Sequence, residues 1–340
     1  MKGKDHVLQK MFRKNETYLF LILISYSILV TAVNSSFLTL ENFFDIVRSS
    51  AGMGILAMGV LVVILSGGID VSFTAVAISG GYIAVRATMA AGVDNLAVAF
   101  LISCAVGILL GAINGLIISF FRLPTLIATL GTLSVFFGAL TTFVGTKSVN
   151  AREMPKCFIN FGSAKLVHLS NVKGHTYGLS VFVIPLLFAI LLTWFLLKYT
   201  MLGRGIYALG NNKESALRAG FNLVRTQLFI YCYVGFLAGI MGVVYVSEVR
   251  WVNPVDLVGQ ELTVIAAVVI GGAKLTGGSG TILGTILGVA IVRVLYSTLV
   301  LLGLSSSWND FFVGLIILVS VGITSYQNKL KNEKSLSFKV

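Results

Sequence analysis

The sequence predicts an all-α integral membrane protein with about ten transmembrane helices and with both termini in the cytoplasm. Hydrophobic residues make up 56% of the 340 residues and charged residues only 11%, whereas a soluble domain carries about 25% charged residues. The apolar residues cluster in runs of about 20. A helix of that length, rising about 1.5 Å per residue, can cross a hydrocarbon core of about 30 Å. Only four prolines occur, which suits long, uninterrupted helices.

The apolar runs define a single transmembrane domain over residues 17–326, between a cytoplasmic tail at 1–16 and a second one at 327–340. The ten predicted spans are 17–34, 44–66, 71–91, 95–120, 124–144, 179–199, 226–247, 259–273, 280–302 and 308–326.

Three of the connecting segments have distinctive sequences. Residues 145–178 are long and polar, which predicts a structured excursion outside the membrane, and residues 197–226 form the largest connector on the cytoplasmic side. The break between the second and third spans is rich in glycine, as is the segment 271–280. Such breaks can be re-entrant segments instead of simple loops.

The orientation follows from the distribution of Lys and Arg, because cytoplasmic connectors are enriched in both residues. With the N-terminus inside, the inner segments hold 16 of these residues and the outer segments hold 8, which supports cytoplasmic termini. Five of the 8 outer residues lie in the excursion 145–178, so its outer placement fits the rule least well.

The distribution of charge argues against a nucleic-acid-binding protein, and the cysteine spacing argues against a disulfide-linked or metal-binding one. The net charge of +12 comes from basic residues in short connectors between apolar runs. A nucleic-acid-binding protein would gather these residues on one polar face, so no nucleic-acid partner is expected. Cys104 and Cys232 lie within apolar runs and only Cys157 lies in a polar segment. The spacing predicts neither a disulfide nor a metal site.

Two glycine ladders predict close helix packing. In each ladder a glycine recurs every four residues, a pattern that lets helix backbones approach one another in lipid. Packing within one subunit is the ordinary explanation, and a seam between two subunits is the alternative. The ladder residues are Gly107, Gly111, Gly115, Gly280, Gly284 and Gly288.

Four segments, in this order and spacing, resemble the permease subunits of ribose-type ABC sugar importers, over about residues 40–325. That family also includes permeases for galactose, arabinose, xylose, rhamnose and autoinducer-2. The segments are 66–72 (SGGIDVS), 111–115 (GAING) with 123–131 (LPTLIATLG), 203–212 (GRGIYALGNN), and 261–272 (ELTVIAAVVIGG) with 277–280 (GGSG) and 284–285 (GT).

The resemblance implies a transport subunit of the bacterial inner membrane that is not itself an enzyme and has no catalytic residues. It implies three protein partners: a second permease chain, identical or related, an ATPase subunit that binds ATP and Mg²⁺, and a sugar-binding protein outside the cytoplasm. The sequence contains no phosphate-binding loop of the form GxxxxGK[ST], which agrees with ATP being bound by another chain. No cofactor is expected on this chain. The outer segments 146–177 and 247–259 would receive the binding protein.

The connector 197–226 contains a short helix that the resemblance identifies as the coupling helix docked on the ATPase. Asn212 can cap its first turn, Glu214 complements the helix dipole, and Gly220 can adopt the left-handed conformation that ends a helix. An ordinary capped helix without a partner is the alternative. The residues assigned to coupling are Gly203, Arg204, Asn211, Glu214, Ala216, Arg218 and Gly220.

Polar residues at membrane depth are costly and therefore become candidates for the pathway or its gate. Asp70 follows two glycines and would either cap the next helix or act as a gate. Glu261 is expected near a membrane face. Arg293 lies near the middle of its span, so we expect it to face a wet cavity or to pair with Glu261 or Asp310. The resemblance implies an amide near position 293, so the arginine suggests a polyhydroxylated or anionic cargo. The full set is Asp70, Asn114, Glu261 and Arg293.

Three alternatives to a sugar importer stay open. A secondary transporter driven by an ion gradient would need an acidic residue at a broken helix near the midplane, and Asp70 is the best candidate. A membrane-embedded enzyme would need clustered polar residues at one depth, but His6, His168 and His175 all lie outside the predicted spans. A sister ABC permease for nucleosides or branched-chain amino acids would share the general architecture. The sequence does not choose one sugar.

Overall fold

The structure is a computed structural model that describes residues 15–170, 176–301, 303, 305, 307–309, 311–315, 318 and 322. Most of the predicted tail 1–16, all of the tail 327–340 and most of the predicted span 308–326 lie outside the described residues.

The first half of the chain is a series of long helices. Helix α1 is followed by a 3₁₀ turn (Ser35–Leu38), and helix α5 ends in a π-helical turn (Leu140–Val144). The α-helices are α1 (Asn15–Val33), α2 (Leu40–Leu65), α3 (Phe73–Ala91), α4 (Leu96–Phe121) and α5 (Thr125–Ala139).

The excursion between the two halves folds into short elements. Strand β1 (Val149–Asn150) precedes helix α6 (Lys156–Ser163), and strands β2 (Leu169–Ser170) and β3 (Thr176–Tyr177) pair with each other in antiparallel fashion. The excursion is fixed to the bundle because Asp94, which follows α3, accepts a hydrogen bond of 2.6 Å from the Cys157 amide.

The second half contains three long helices and three short ones in the described part of the chain. A bend of 77° separates α7 from α8. Strand β4 pairs with β1, which ties the start of the excursion to the end of α10. The elements are α7 (Val183–Tyr199), α8 (Met201–Asn211), α9 (Lys213–Arg218), α10 (Leu223–Val249), β4 (Trp251–Val252), α11 (Glu261–Ile270) and α12 (Ile282–Leu301).

Capping side chains mark the start of five helices. In each case an Asn or Thr side-chain oxygen accepts a hydrogen bond from an amide of the first turn, which would otherwise lack a partner. The capping residues are Thr39, Asn95, Thr200, Asn212 and Asn222.

Seven helices within the described part of the chain are long and apolar enough to cross a membrane, or eight if the bent pair α7–α8 counts as one span. The fold is therefore an all-α multi-pass membrane protein, as predicted, but the count of ten spans is not confirmed. The predicted span 259–273 contains a helix of only ten residues, which reaches about 15 Å and cannot cross a bilayer alone.

Helix α10 lies at the centre of the bundle and packs against α2, α3 and α4. The first glycine ladder lies on the contact between α4 and α10. A Cβ atom added at Gly107 would overlap the carbonyl oxygen of Gly235, and one at Gly111 would overlap that of Tyr231. At Gly115 it would lie 2.9 Å from the Leu228 Cα atom.

The second ladder lies between α11 and α12. A Cβ atom at Gly284 would overlap the Gly271 carbonyl oxygen, and one at Gly288 would overlap that of Ala267. At Gly280 the nearest atom would be the Ala273 Cβ, at 3.0 Å. Both ladders thus join helices of the same chain.

Candidate functional site

Two glycine-rich breaks and the end of helix α8 meet at one point, which we call the glycine junction (Gly67, Gly210, Gly277 and Gly278). The Gly278 amide donates a hydrogen bond of 2.9 Å to the Leu65 carbonyl at the end of α2. A Cβ atom added at Gly277 would lie 2.7 Å from the Gly67 Cα atom, and one at Gly210 would lie 2.6 Å from the Gly278 nitrogen. Backbones from three of the four motif segments therefore touch where a side chain would not fit.

The break between α2 and α3 holds a buried chain of polar groups. The Asp70 carboxylate accepts hydrogen bonds of 2.7 Å from both the amide and the hydroxyl of Ser72. The Asn114 side-chain amide of α4 donates a bond of 2.7 Å to the same hydroxyl. All three side chains are buried. The predicted pathway residues Asp70 and Asn114 are thus linked through Ser72.

Asp70 is not the capping residue of α3, which is the simpler of its two predicted roles. Helix α3 starts at Phe73 and Ser72 occupies the N-cap position. Asp70 instead stabilises the turn that leads into the helix, by accepting the Ser72 amide.

Threonines at the start of α5 hold the same break in place. The Thr125 hydroxyl accepts a hydrogen bond of 3.0 Å from the Ile69 amide, and the Thr129 hydroxyl accepts one of 3.3 Å from the Val71 amide. Irregular backbone at membrane depth requires such partners. The motifs SGGIDVS and LPTLIATLG are therefore in direct contact.

Glu261 begins the short helix α11 and is buried, with 8% of its surface exposed. Its carboxylate accepts hydrogen bonds from the Thr74 hydroxyl of α3, at 2.5 Å, and from the Gly259 amide, at 3.1 Å. Glu261, which the sequence places near a membrane face, is enclosed by protein. Because α3 and α11 both begin inside the bundle, the carboxylate bridges two interrupted helices.

A cavity of about 570 Å³, which we call the central cavity, lies beside this bridge. It is bounded by α2, α3, α10, α11 and α12 and by the segment 257–260. Its polar lining includes Thr74, Gln260, Thr263, Arg293, Tyr296 and Asn309. Arg293 therefore lines a cavity, which is one of its two predicted environments.

Among the described residues, the acid that interacts electrostatically with Arg293 is Glu248, at the end of α10, and not the predicted partner Glu261. Glu261 is held by Thr74 and Gly259, and Asp310 lies outside the described residues. Glu248 also interacts electrostatically with Arg48 of α2. The Arg293 guanidinium carbon lies 5.9 Å from the centre of the Tyr296 ring.

Comparison with known proteins identifies the class of this chain. A family model described as "Branched-chain amino acid transport system / permease component" matches residues 42–321. The chain belongs to this family. Among the described residues of this permease, no three His, Cys, Asp or Glu side chains are arranged to hold a metal ion.

Several curated relatives match the permease over most of its length. The ribose import permease protein of Bacillus subtilis (strain 168) is 35% identical over 89% of this chain and 90% of its own length. The ribose import permease protein of Escherichia coli (strain K12) is 32% identical over 86% of this chain and 88% of its own length. The autoinducer 2 import system permease protein of Enterobacter sp. (strain 638) is 31% identical over 92% and 87%. No solved structure matches the chain significantly.

The predicted coupling residues of the permease lie on two helices, α8 and α9, where the sequence predicted one. The side chain of Asn212 accepts a bond of 2.9 Å from the Ser215 amide and caps α9. Gly220 has a φ of +85° and Glu214 lies in the first turn. These local features of α9 agree with the prediction. Sequence reasoning missed α8, because its glycines and polar residues resemble a loop.

Burial divides the predicted coupling residues into two groups. Arg204, Asn211, Glu214, Arg218 and Gly220 are exposed and can meet a partner protein. Gly203 and Ala216 are buried against their own chain. Gly203 permits the bend between α7 and α8, since a Cβ atom there would lie 2.7 Å from the Leu197 Cα atom.

Helix α9 borders a second cavity, of about 840 Å³, that reaches the glycine junction. Lys213, Leu217 and Gly220 line one side of this cavity, and Arg122 and Gly67 line the other. Helix α9 and the break after α2 therefore line the same cavity.

Sequence reasoning missed Thr74 and Glu248 as functional residues. Threonine is common in apolar helices and carries no charge, so the sequence around Thr74 gives no signal. Glu248 lies one residue beyond the predicted span 226–247. The available signal was Arg48, a cation within the predicted span 44–66 that requires a nearby anion or water.

Proposed function

We propose that this chain is the membrane-spanning permease subunit of a binding-protein-dependent ABC importer that moves a sugar into the cytoplasm. The observation that carries the proposal is the match, over about nine tenths of both chains, to permeases named for ribose and autoinducer 2 import. The partners are a separate ATPase subunit, a second permease chain and an extracytoplasmic sugar-binding protein, and the location is the bacterial inner membrane.

The contacts of the inner half supply a route for coupling. Helix α9, docked on the ATPase, is joined through Asn212 to α8, whose Gly210 touches the end of α2 at the glycine junction. The break after α2 leads through Asp70 and Ser72 to the start of α3. Packed helices respond to a displacement as rigid bodies, so movement of α9 would be passed to the break.

The route that begins at α9 ends at the central cavity. Thr74, the second residue of α3, lines the cavity and donates a hydrogen bond to Glu261 of α11. A shift of α3 relative to α11 would change the cavity's shape and its opening. In this mechanism the binding protein delivers the sugar on the outer side, the sugar occupies the cavity, and ATP-driven movement of α9 opens it inward. The permease breaks no covalent bond.

The second candidate cargo is a branched-chain amino acid, because the matching family model is described by that transport system. The individual relatives named for ribose and autoinducer 2 favour a sugar. A gradient-driven transporter is the third possibility. Asp70 lies in a break between two helices, as an ion site would require, but its carboxylate is engaged by Ser72.

Uptake by cells that express the permease with its ATPase and binding protein tests this proposal. The panel contains radiolabelled pentoses, hexoses, autoinducer-2, a nucleoside and leucine, with a matched strain whose ATPase lacks its phosphate-loop lysine. We expect uptake of a sugar or autoinducer-2 that disappears with the inactive ATPase. Uptake of leucine alone would show that the cargo is a branched-chain amino acid instead of a sugar. Uptake that persists with the inactive ATPase would reject the ABC mechanism.

A further inference from the structure

Arg293 forms no salt bridge with another described residue. The acid whose charge acts on it is Glu248, which also interacts electrostatically with Arg48. Glu261 is not among the charges that act on Arg293 and is bonded to Thr74 and Gly259. The Arg293 guanidinium group therefore has no direct ionic partner in the described part of the chain where it lines the cavity.

Two buried polar atoms of the cavity lining have no hydrogen-bond partner within the described structure. One is the donor Arg293 Nε and the other is the acceptor Asn309 Oδ1. Both residues line the cavity. A buried donor or acceptor without a partner is costly, so native proteins pair such groups with protein, water or ligand. A ligand with a strong acceptor for Arg293 and a donor for Asn309 would satisfy both atoms.

The remaining lining suits a small hydroxylated compound. Gln260 can donate and accept hydrogen bonds, Thr263 offers a hydroxyl group, and the Tyr296 ring supplies an aromatic face. The volume of about 570 Å³ lies within the roughly 300–1,000 Å³ of small-molecule sites.

We propose that the central cavity is a cargo-binding site for a hydroxylated compound with a single negative charge, with a sugar acid as the chemical class. Arg293 contacts the carboxylate, for which its planar, forked guanidinium is suited, and Asn309 accepts a hydrogen bond from a hydroxyl group. One arginine without a salt bridge in the described structure matches one carboxylate of a ligand. This inference rests on the proposed transport function and narrows its cargo.

Equilibrium binding to the purified full-length permease in lipid nanodiscs tests the site without the binding protein. The probes are three pairs with the same carbon skeleton: ribonate and ribose, gluconate and glucose, galacturonate and galactose. We expect the wild-type permease to bind at least one acid tenfold or more tightly than its neutral partner. Equal affinity within every pair, or no binding of any acid, overturns the proposal without the need for a variant.

Variants assign the charge recognition to Arg293. Arg293→Gln should weaken binding of the acid tenfold or more and leave the neutral sugar unchanged, and Arg293→Lys should retain part of the preference. Asn309→Leu should weaken both members of a pair by a similar factor. Arg86→Gln, which removes a cation of α3 outside the cavity lining, should change neither. An acid preference that survives Arg293→Gln, in protein that elutes as wild type, would also overturn the assignment.

ATP-dependent uptake by the complete transporter separates the two claims. ATP-dependent uptake of a neutral sugar by the wild type, without uptake of the corresponding acid, would leave the proposed function standing and reject the acidic cargo. Loss of all ATP-dependent uptake in wild type would reject the proposed function itself.

Discussion

Thr74 and Glu261 join two helices whose first turns are 187 positions apart in the sequence. The Thr74 hydroxyl donates to the carboxylate across the boundary between α3 and α11. Both side chains are buried, so neither can exchange its partner for bulk water. The bond holds together two helices that both begin within the bundle and that both border the central cavity.

Replacing Thr74 with valine should lower the free energy of unfolding by about 1–3 kcal/mol, because the buried carboxylate loses a donor. Thr88→Val in the same helix is the matched control, since that buried hydroxyl bonds only to carbonyls of its own helix. The free energies of unfolding of both variants are measured in mixed micelles. The cycle formed with Glu261→Gln should show coupling between the two sites. Additive effects would mean that the bond contributes nothing.

The reactivity of Cys157 tests its contact with Asp94, and its accessibility tests the side of the membrane on which the excursion lies. Burial, together with the hydrogen bond and charge of Asp94, raises the pKa of the Cys157 thiol to about 11. Since the thiolate is the reactive form, labelling at pH 8 should be slow and should speed up severalfold in Asp94→Asn. The measurement uses a membrane-impermeant maleimide on intact cells, with Cys104 and Cys232 replaced by alanine.

The same labelling tests the predicted orientation. Modification of Cys157 from outside agrees with an outer excursion and cytoplasmic termini. Modification only after the membrane is opened would invert the topology. Equal rates in wild type and Asp94→Asn would contradict the contact between Asp94 and Cys157.

At the level of elements, the contact between α4 and α10 depends on the absence of side chains. Gly107→Ala would drive a methyl group into the Gly235 carbonyl. We expect the free energy of unfolding to fall by about 1–3 kcal/mol, the usual cost of overpacking. Gly138→Ala in α5 is the control, because nothing lies within 4 Å of its added Cβ atom. That variant should be neutral or slightly more stable, since alanine favours helix. Equal losses in both variants would contradict the close packing.

Helix α9 presents its charges outward and its small residue inward. Arg218 and Glu214 are exposed, whereas Ala216 is 1% exposed. If α9 docks on the ATPase, Arg218→Glu should weaken binding of the purified ATPase to the permease in nanodiscs at least tenfold. Arg152→Glu, an equally exposed charge reversal in the excursion, should leave this binding unchanged. Unchanged binding in Arg218→Glu would remove α9 from the coupling interface.

Across the whole molecule, the sequence predicts the long helices best. The predicted span 95–120 corresponds to Leu96–Phe121, and 226–247 corresponds to Leu223–Val249. Such helices follow from the length of an apolar run, which is a local property. The short helix Glu261–Ile270 was predicted too long, because the apolar run continues into the glycine-rich break at Gly271.

Contacts between distant segments could not be predicted from the sequence. The cost of a charge in lipid marked Arg293 as unusual. It did not reveal Glu248 as its neighbour, because the two residues approach each other only when α10 and α12 both pack against α2. The motifs around Gly67, Gly210 and Gly277 were recognisable one by one. Their convergence at the glycine junction is a tertiary property, which appears only when three backbones are placed in space.

The central claim is that ATP hydrolysis by a partner chain drives transport through this bundle. The most direct test is uptake of a labelled sugar into proteoliposomes that contain the permease and its ATPase, with the binding protein outside, ATP inside and ionophores to dissipate ion gradients. The account predicts uptake that requires ATP and is lost when the phosphate-loop lysine of the ATPase is replaced. Uptake that proceeds without ATP and is abolished by the ionophores would contradict it.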